Sequence, residues 1–442
     1  MFFCLMASMV QAQAVYTLDS CKRLAVKGNL TLQNHRLAIE SARQTKKEAF
    51  TKFFPSVSAI GFAFKTNRYM MDFDYDLGRW QTGFFSPVMI SIDLPSIPMQ
   101  MLDGGLMGGV TAVQPLFAGL RIVHGNQLAK LGWQAAEKQA EMSEAEVCEL
   151  VEGYYWQIVA LCEKRNTLMT LGKQLEHIHQ DVEAAVEAGV TTPNNLLMVK
   201  LKEQELASGQ LKVENGIRMY KKILRQTAQI PEIDFELAVD SLAMPEMPQG
   251  DYMDPQQGAS QRTESTLLDM QVRASELQTR MEMGKYLPQV AVGAGYSAYW
   301  MQVNSDNTAA NHFGMVFGTV SVPLSDWWGG AHAIQKSRIQ EQIARNERTQ
   351  NMQLIEMQIE RSWDELAEAY QQLILARNSI DLARENLRLQ QDYFDAGTAT
   401  LTELLNAQST LQQSADNYTE AFVDYQVKRR AYLKNIGKPS FE

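Results

Sequence analysis

The chain repeats itself. Shifted by 208 residues, the stretch from Val113 to Gln229 falls on Ser321 to Gly437 without a gap. Pro115-Leu116 meets Pro323-Leu324, His124 meets His332, Glu152 meets Glu360, and Ala188-Gly189 meets Ala396-Gly397. Leu196-Leu197 meets Leu404-Leu405 in the same frame. Upstream, the segment from Lys52 echoes the segment from Lys285, with Pro55 on Pro288 and an offset of 233. The first copy therefore carries 25 extra residues between its two matched stretches. Two long copies of one unit indicate an architecture built by duplication, not an enzyme with one asymmetric active site. The copies divide the chain into a first repeat (15–229), a connecting segment (230–261) rich in proline, and a second repeat (262–442).

Residues 1–14, MFFCLMASMVQAQA, read as a signal peptide that ends on Ala12-Gln13-Ala14, an A-x-A cleavage pattern. No Lys or Arg precedes its apolar run, so the segment looks clipped, and a buried N-terminal segment is the alternative. Beyond it no run of about 18 apolar residues exists, so a version of this chain that crosses a membrane must use β-strands. The net charge of −10 argues against a nucleic-acid partner. Cys148 and Cys162, roughly 21 Å apart along one helix, are too distant to bridge. No HExxH, paired CxxC, phosphate loop or GxSxG occurs, so neither a catalytic set nor a metal or cofactor site is expected. The 23 methionines are scattered, with Met70-Met71, Met99 and Met101 in one loop; that placement favours packing over metal transport.

Two strands per copy are expected. In the second copy Val290, Val292, Ala294, Tyr296, Ala298 and Trp300 alternate with small or polar residues, the period-two pattern of a barrel strand with lipid on one side and lumen on the other. The counterpart Ser56–Phe64 alternates less cleanly and its faces stay unassigned. The second strands run near Leu106–Leu116 and Phe313–Leu324, and each ends in Pro-Leu and a turn. A long loop (66–105) joins the strands of the first copy and a short one (304–311) those of the second. Trp80, Trp300, Trp327 and Trp328 lie near strand ends, where an interfacial aromatic girdle would sit.

A helix of unusual length follows each second strand. Ile122–Glu187 and Ala331–Asp395 contain no proline and would each reach about 100 Å. Leu168, Leu171, Leu175, Ile178 and Val182 step by three and four, as do Ile359, Trp363, Leu366, Tyr370 and Leu373. Each helix turns at Ala-Gly and another returns; the second return helix holds its rhythm from Leu401 through Gln408, Tyr418 and Arg429 to Tyr432. These are coiled-coil seams. Four strands cannot close, and an open edge facing lipid leaves unpaired backbone groups at several kcal/mol each. Several chains must then share one barrel, and three chains with twelve strands give the smallest assembly wide enough for a pore.

At the strand starts (FFPSV and YLPQV), at QPLFAGLR and VPLSDWWGG, and above all along Asp395–Gly437, the chain resembles the TolC-like outer membrane efflux proteins. The resemblance covers nearly the whole mature chain. It implies an α+β membrane protein, a homotrimer with a 12-stranded barrel set in outer-membrane lipid and continuous with a helical periplasmic tunnel. It also implies the role of exit duct for an inner-membrane pump or transporter, with a periplasmic adaptor docked on the hairpin tips. Those tips are Ala188, Gly189, Val190 and Thr191 in one copy, and Ala396, Gly397, Thr398 and Ala399 in the other. The periplasmic gate falls on Glu403 and Asn406, with Asn195 as the first-copy counterpart of Glu403. Only one of the two positions that are acidic in the family pattern is acidic here, and Glu403 as a plain solvated helix charge is the other reading. Drug efflux, protein secretion and metal efflux share such a duct. The rival class is a periplasmic coiled-coil scaffold or adaptor with no barrel.

Overall fold

The computed structural model describes residues 14–67, 71–75, 79–82, 90–93, 97–101, 104–238, 242, 244–245, 250, 252–304 and 307–438. The expected signal-peptide residues 1–13 with Cys4, Met70 and Pro248 lie outside the described residues, as do the side chains of Trp80, Met71, Met99 and Met101.

From the N-terminus the order is β1 (Ala14–Tyr16), α1 (Leu18–Gly28), α2 (Leu30–Thr51), β2 (Ser56–Lys65), the short strands β3 (Met71–Tyr75), β4 (Arg79–Thr82), β5 (Ile90–Asp93) and β6 (Ile97–Met101), then β7 (Gly104–Ala118), α3 (Arg121–Glu187) and α4 (Pro193–Ala228). After β8 (Phe235–Leu237) come α5 (Pro255–Gln261), α6 (Thr263–Gly284), β9 (Gln289–Asn304), β10 (Asn307–Ser321), α7 (Trp327–Asp395) and α8 (Leu401–Asn435). Each copy thus delivers two long strands and a helical hairpin. The residues fall into two compact units, one of residues 1–42, 133–272 and 344–442, the other of 43–132 and 273–343.

The first unit is helical. Leu168, Leu171, Leu175, Ile178 and Val182 of α3 bury against Val199, Leu206, Val213 and Ile217 of α4 and against Leu401, Leu404 and Leu405 of α8. A second seam joins Ile359, Leu366 and Leu373 of α7 to Tyr418, Phe422, Tyr425 and Tyr432 of α8. The 3-4 spacing makes both seams, because residues three and four apart share one helix face. At one place the expected seam slips: Arg429 is exposed and Arg430 is buried. Arg430 points instead at Glu152 of α3, which also takes Lys22 of α1 at 2.7 Å.

The N-terminal helical stretch, residues 18–51, is two helices. Asn29 breaks it: its side-chain oxygen accepts from Thr31 N at 2.9 Å and starts α2, while Nδ2 donates to the Thr227 carbonyl at 2.9 Å. The asparagine thereby caps one helix and ties it to the end of α4. The connecting segment likewise holds more order than its prolines suggest. β8 pairs in parallel with β1. Tyr418 donates to the Leu242 carbonyl at 3.0 Å, the Met253 amide donates to the Tyr432 hydroxyl at 2.9 Å, and Asp254 caps α5 by accepting from Gln256 N and Gln257 N. Tyrosines of the return helix therefore fasten the connector.

In the second unit β10, β9, β7 and β2 form one antiparallel sheet in that order. The four strands contain a single Asp, Glu, Lys or Arg residue, Lys65 at the end of β2. The long loop of the first copy is not structureless: its described residues form two ladders, β3 with β6 and β4 with β5. The turn expected at SDWWGG is shorter than its letters, since α7 already starts at Trp327. Where β7 hands over to α3, Gly119 sits at φ +62° against Gly284, so closely that a Cβ on either glycine would collide with the backbone of the other. That approach requires glycine.

Candidate functional site

Two features stand out as places where such a chain meets its surroundings: the hairpin tips and the faces of the sheet. The tips end their helices in the same way. After α3, Gly189 takes φ +72°, its amide donates to the Val186 carbonyl at 3.0 Å, and the Val190 amide donates to the Ala185 carbonyl at 2.9 Å. After α7, Gly397 takes φ +73°, its amide donates to Phe394 O at 2.9 Å and the Thr398 amide to Tyr393 O at 2.8 Å. Both are Schellman caps, which close the last carbonyls of a helix with a left-handed residue. Nothing lies within 4 Å of a Cβ added to either glycine, so conformation and not space selects glycine there. Val190 is 80% exposed at the apex.

The start of each return helix differs. Thr400 begins α8 with a complete capping box: its hydroxyl accepts from Glu403 N at 3.3 Å, and Glu403 Oε2 accepts from Thr400 N at 2.7 Å and from the Thr400 hydroxyl at 2.9 Å. The Thr400 backbone amide, and after it the Thr400 hydroxyl, hold the Glu403 carboxyl below the usual carboxylate range. A depressed folded-state pKa means this cap is complete at neutral pH and is lost as pH falls through the carboxylate range. In the first copy Thr192 makes no side-chain cap, Pro193 takes the first helical position, and Asn195 turns its Nδ2 onto the Thr191 hydroxyl at 2.7 Å. Asn195, at the position matching Glu403, thus brings neither the charge nor the capping box. Asn406 is exposed, one turn beyond Glu403. Behind the second tip Leu401, Leu404 and Leu405 are buried in the helical core.

The register of the sheet assigns the faces that the first-copy strand left open. Val57 pairs with Ala112, Ala112 with Ala294 and Ala294 with Val316, so these four share one face. That face continues through Leu106 and Val110 on β7 and Tyr296 and Trp300 on β9, all exposed. The opposite face carries the hydroxyls, Ser56 and Ser58 of β2, Thr111 of β7, Ser297 of β9 and Thr319 of β10. Trp327 and Trp328, beyond the other end of the strands, are exposed as well, and the Trp327 indole N–H donates to the Tyr286 carbonyl at 3.0 Å. β2 and β10 are the two outer strands, each paired along one side only among the described residues.

Comparisons with known proteins agree with this geometry. Residues 268–436 match the family model of outer membrane efflux proteins. No curated protein sequence matches the chain. Among solved structures the chain is similar to the CmeC outer membrane channel of Campylobacter jejuni, at 14% identity over 95% of this chain and 85% of that one, with a TM-score of 0.73. It is also similar to the outer membrane protein VceC of Vibrio cholerae, at 12% identity, 96% and 97% coverage and a TM-score of 0.70. The MtrE outer membrane channel of Neisseria gonorrhoeae, captured in its open state, gives 11% identity, 95% and 89% coverage and a TM-score of 0.72. The chain has the fold of these outer membrane channels, and residues 268–436 match the outer membrane efflux protein family by sequence.

Proposed function

We propose that the chain is one protomer of a trimeric exit duct in the bacterial outer membrane, acting in efflux or type I secretion. One observation carries the reading: a four-stranded sheet whose one Asp, Glu, Lys or Arg residue is Lys65 at a strand end presents an exposed apolar face and, among the described residues, two open edges. Water would not favour the face and lipid would not tolerate the edges, because unpaired backbone groups there cost several kcal/mol each. Strand direction alternates across the sheet, so β10 of one copy runs antiparallel to β2 of the next and the edges can close on each other. Two copies give eight strands and a filled interior; three give twelve and a pore. The helical hairpins then form the periplasmic portion, with an adaptor on the tips and an inner-membrane pump or transporter supplying the cargo and the energy.

The test is fractionation followed by planar-bilayer recording. The mature chain should appear in the outer membrane, need detergent for extraction, migrate differently before and after heating, and open stable pores. Extraction without detergent and no conductance would place it with periplasmic scaffolds.

The same recordings address the gate. In the proposed trimer three Glu403 carboxylates stand around one axis, and crowded carboxylates attract cations. A capping box accepts Gln as well as Glu at its third position. Glu403→Gln therefore removes the charge while keeping the cap. We expect weaker cation preference and weaker block by multivalent cations, with assembly unchanged. Identical selectivity and block in the variant would assign Glu403 to the cap alone.

A further inference from the structure

The face of the sheet that bears the hydroxyls also bears something a water-filled duct does not call for. Toward the strand ends that lead into the loops, register lines up Phe62, Met107 and Tyr299 in one row, with Phe64 and Met301 in the row above and Phe313 in the row below. Phe62 and Phe64 stack at 5.8 Å between ring centroids. Glycines sit among these large side chains and are covered by them: Phe64 and Met301 lie over Gly105, and further down the sheet Phe317 lies over Gly293. A ring laid over a glycine is held in place by that fit. No Asp, Glu, Lys or Arg stands on this face.

Building on the duct reading above, the geometry points to a binding belt for lipophilic organic molecules in the outer half of the lumen. We infer that the cargo class this lining suits is the uncharged or singly charged amphiphile with an aromatic or bulky apolar body. We take the opposite face as the lipid face: Val57, Leu106, Val110, Val292, Trp300 and Val316 are exposed on it, while Lys65 and Gln114 stand at its two ends and His312 on β10. The belt is therefore lumenal. Its chemistry complements such cargo in two ways: apolar area is available to bury, and no fixed charge is present to hold a hydrated ion or a polypeptide's charged side chains. A lining of this kind binds by area and not by sign, which separates it from an acidic gate.

Planar-bilayer recordings of the full chain test it with two probes of the same shape and opposite sign, tetraphenylphosphonium and tetraphenylborate. Both should block at concentrations at least about tenfold below those of tetraethylammonium and tetrafluoroborate, since burying ring-sized apolar groups is worth a factor of that order. Phe62→Ser with Phe313→Ser should erase that preference while the open conductance persists. Ser297→Asp, at a position already polar on the same face, gives a second handle: it should weaken block by the anion by about tenfold and spare block by the cation. Block by the cation alone, or equal preference in wild type and the serine variant, overturns the belt. An absence of any pore overturns the duct reading instead, and the two failures are distinct in the recording.

Discussion

Glu152→Ala should destabilise the helical unit by about 3–5 kcal/mol, the cost of breaking a buried ion pair by removing one partner. Glu152 takes Lys22 at 2.7 Å and faces Arg430 at 3.9 Å, and the three side chains are 11%, 5% and 3% exposed. They come from α3, α1 and α8, so one carboxylate joins the N-terminal helix and both repeats. Without it Lys22 and Arg430 lose this carboxylate in a site nearly closed to water. Thermal unfolding in detergent, followed by helix content, measures the loss. Glu152→Leu combined with Lys22→Met and Arg430→Met should recover most of it, because replacing all the charges with apolar groups leaves none uncompensated. A loss below about 1 kcal/mol for Glu152→Ala would mean the two cations are neutralised by other groups.

Gly189→Val together with Gly397→Val should abolish transport while the assembly still inserts. Each glycine holds a left-handed conformation that costs a β-branched residue about 1–3 kcal/mol, and no neighbouring atom offers a steric alternative explanation. Both Schellman caps would open and the apex carrying Val190 and Thr398 would change shape. Asparagine tolerates the left-handed region, so Gly189→Asn with Gly397→Asn should keep most activity. Dye efflux from cells that express the chain with the pump and adaptor proposed for it gives the readout, beside the amount of chain in the outer membrane. Full efflux in the valine variant at normal expression would remove the tips from the docking surface.

Much of the architecture was legible in the letters. The 208-residue offset announced two copies, and the absence of proline over α3 and α7 announced two long helices. Ala-Gly at the same place in each copy marked the two left-handed caps. Other features depended on partners distant in sequence. Asn29 breaks a helix because Thr227 lies across from it, and Arg430, not Arg429, is buried because Glu152 waits nearly 280 residues away. The capping box at Thr400 and Glu403 is written in the sequence as a Thr three residues before a Glu. The shared face of the sheet's aromatics depends on strand register, which no single strand reveals. On β9 the face opposite Tyr296 and Trp300 is small or polar from Gln289 to Ser297 and turns large only at Tyr299 and Met301; the register with β2 and β10 brings Phe62, Phe64 and Phe313 beside them.

The central claim is a barrel shared among copies, and the mass of the purified, detergent-solubilised chain tests it most directly. Light scattering corrected for detergent should give about 150 kDa of protein, three times the 49.9 kDa of one chain. A monodisperse monomer near 50 kDa that retains its helix content and inserts stably in lipid would contradict the account, because a lone four-stranded sheet leaves two unpaired edges facing hydrocarbon.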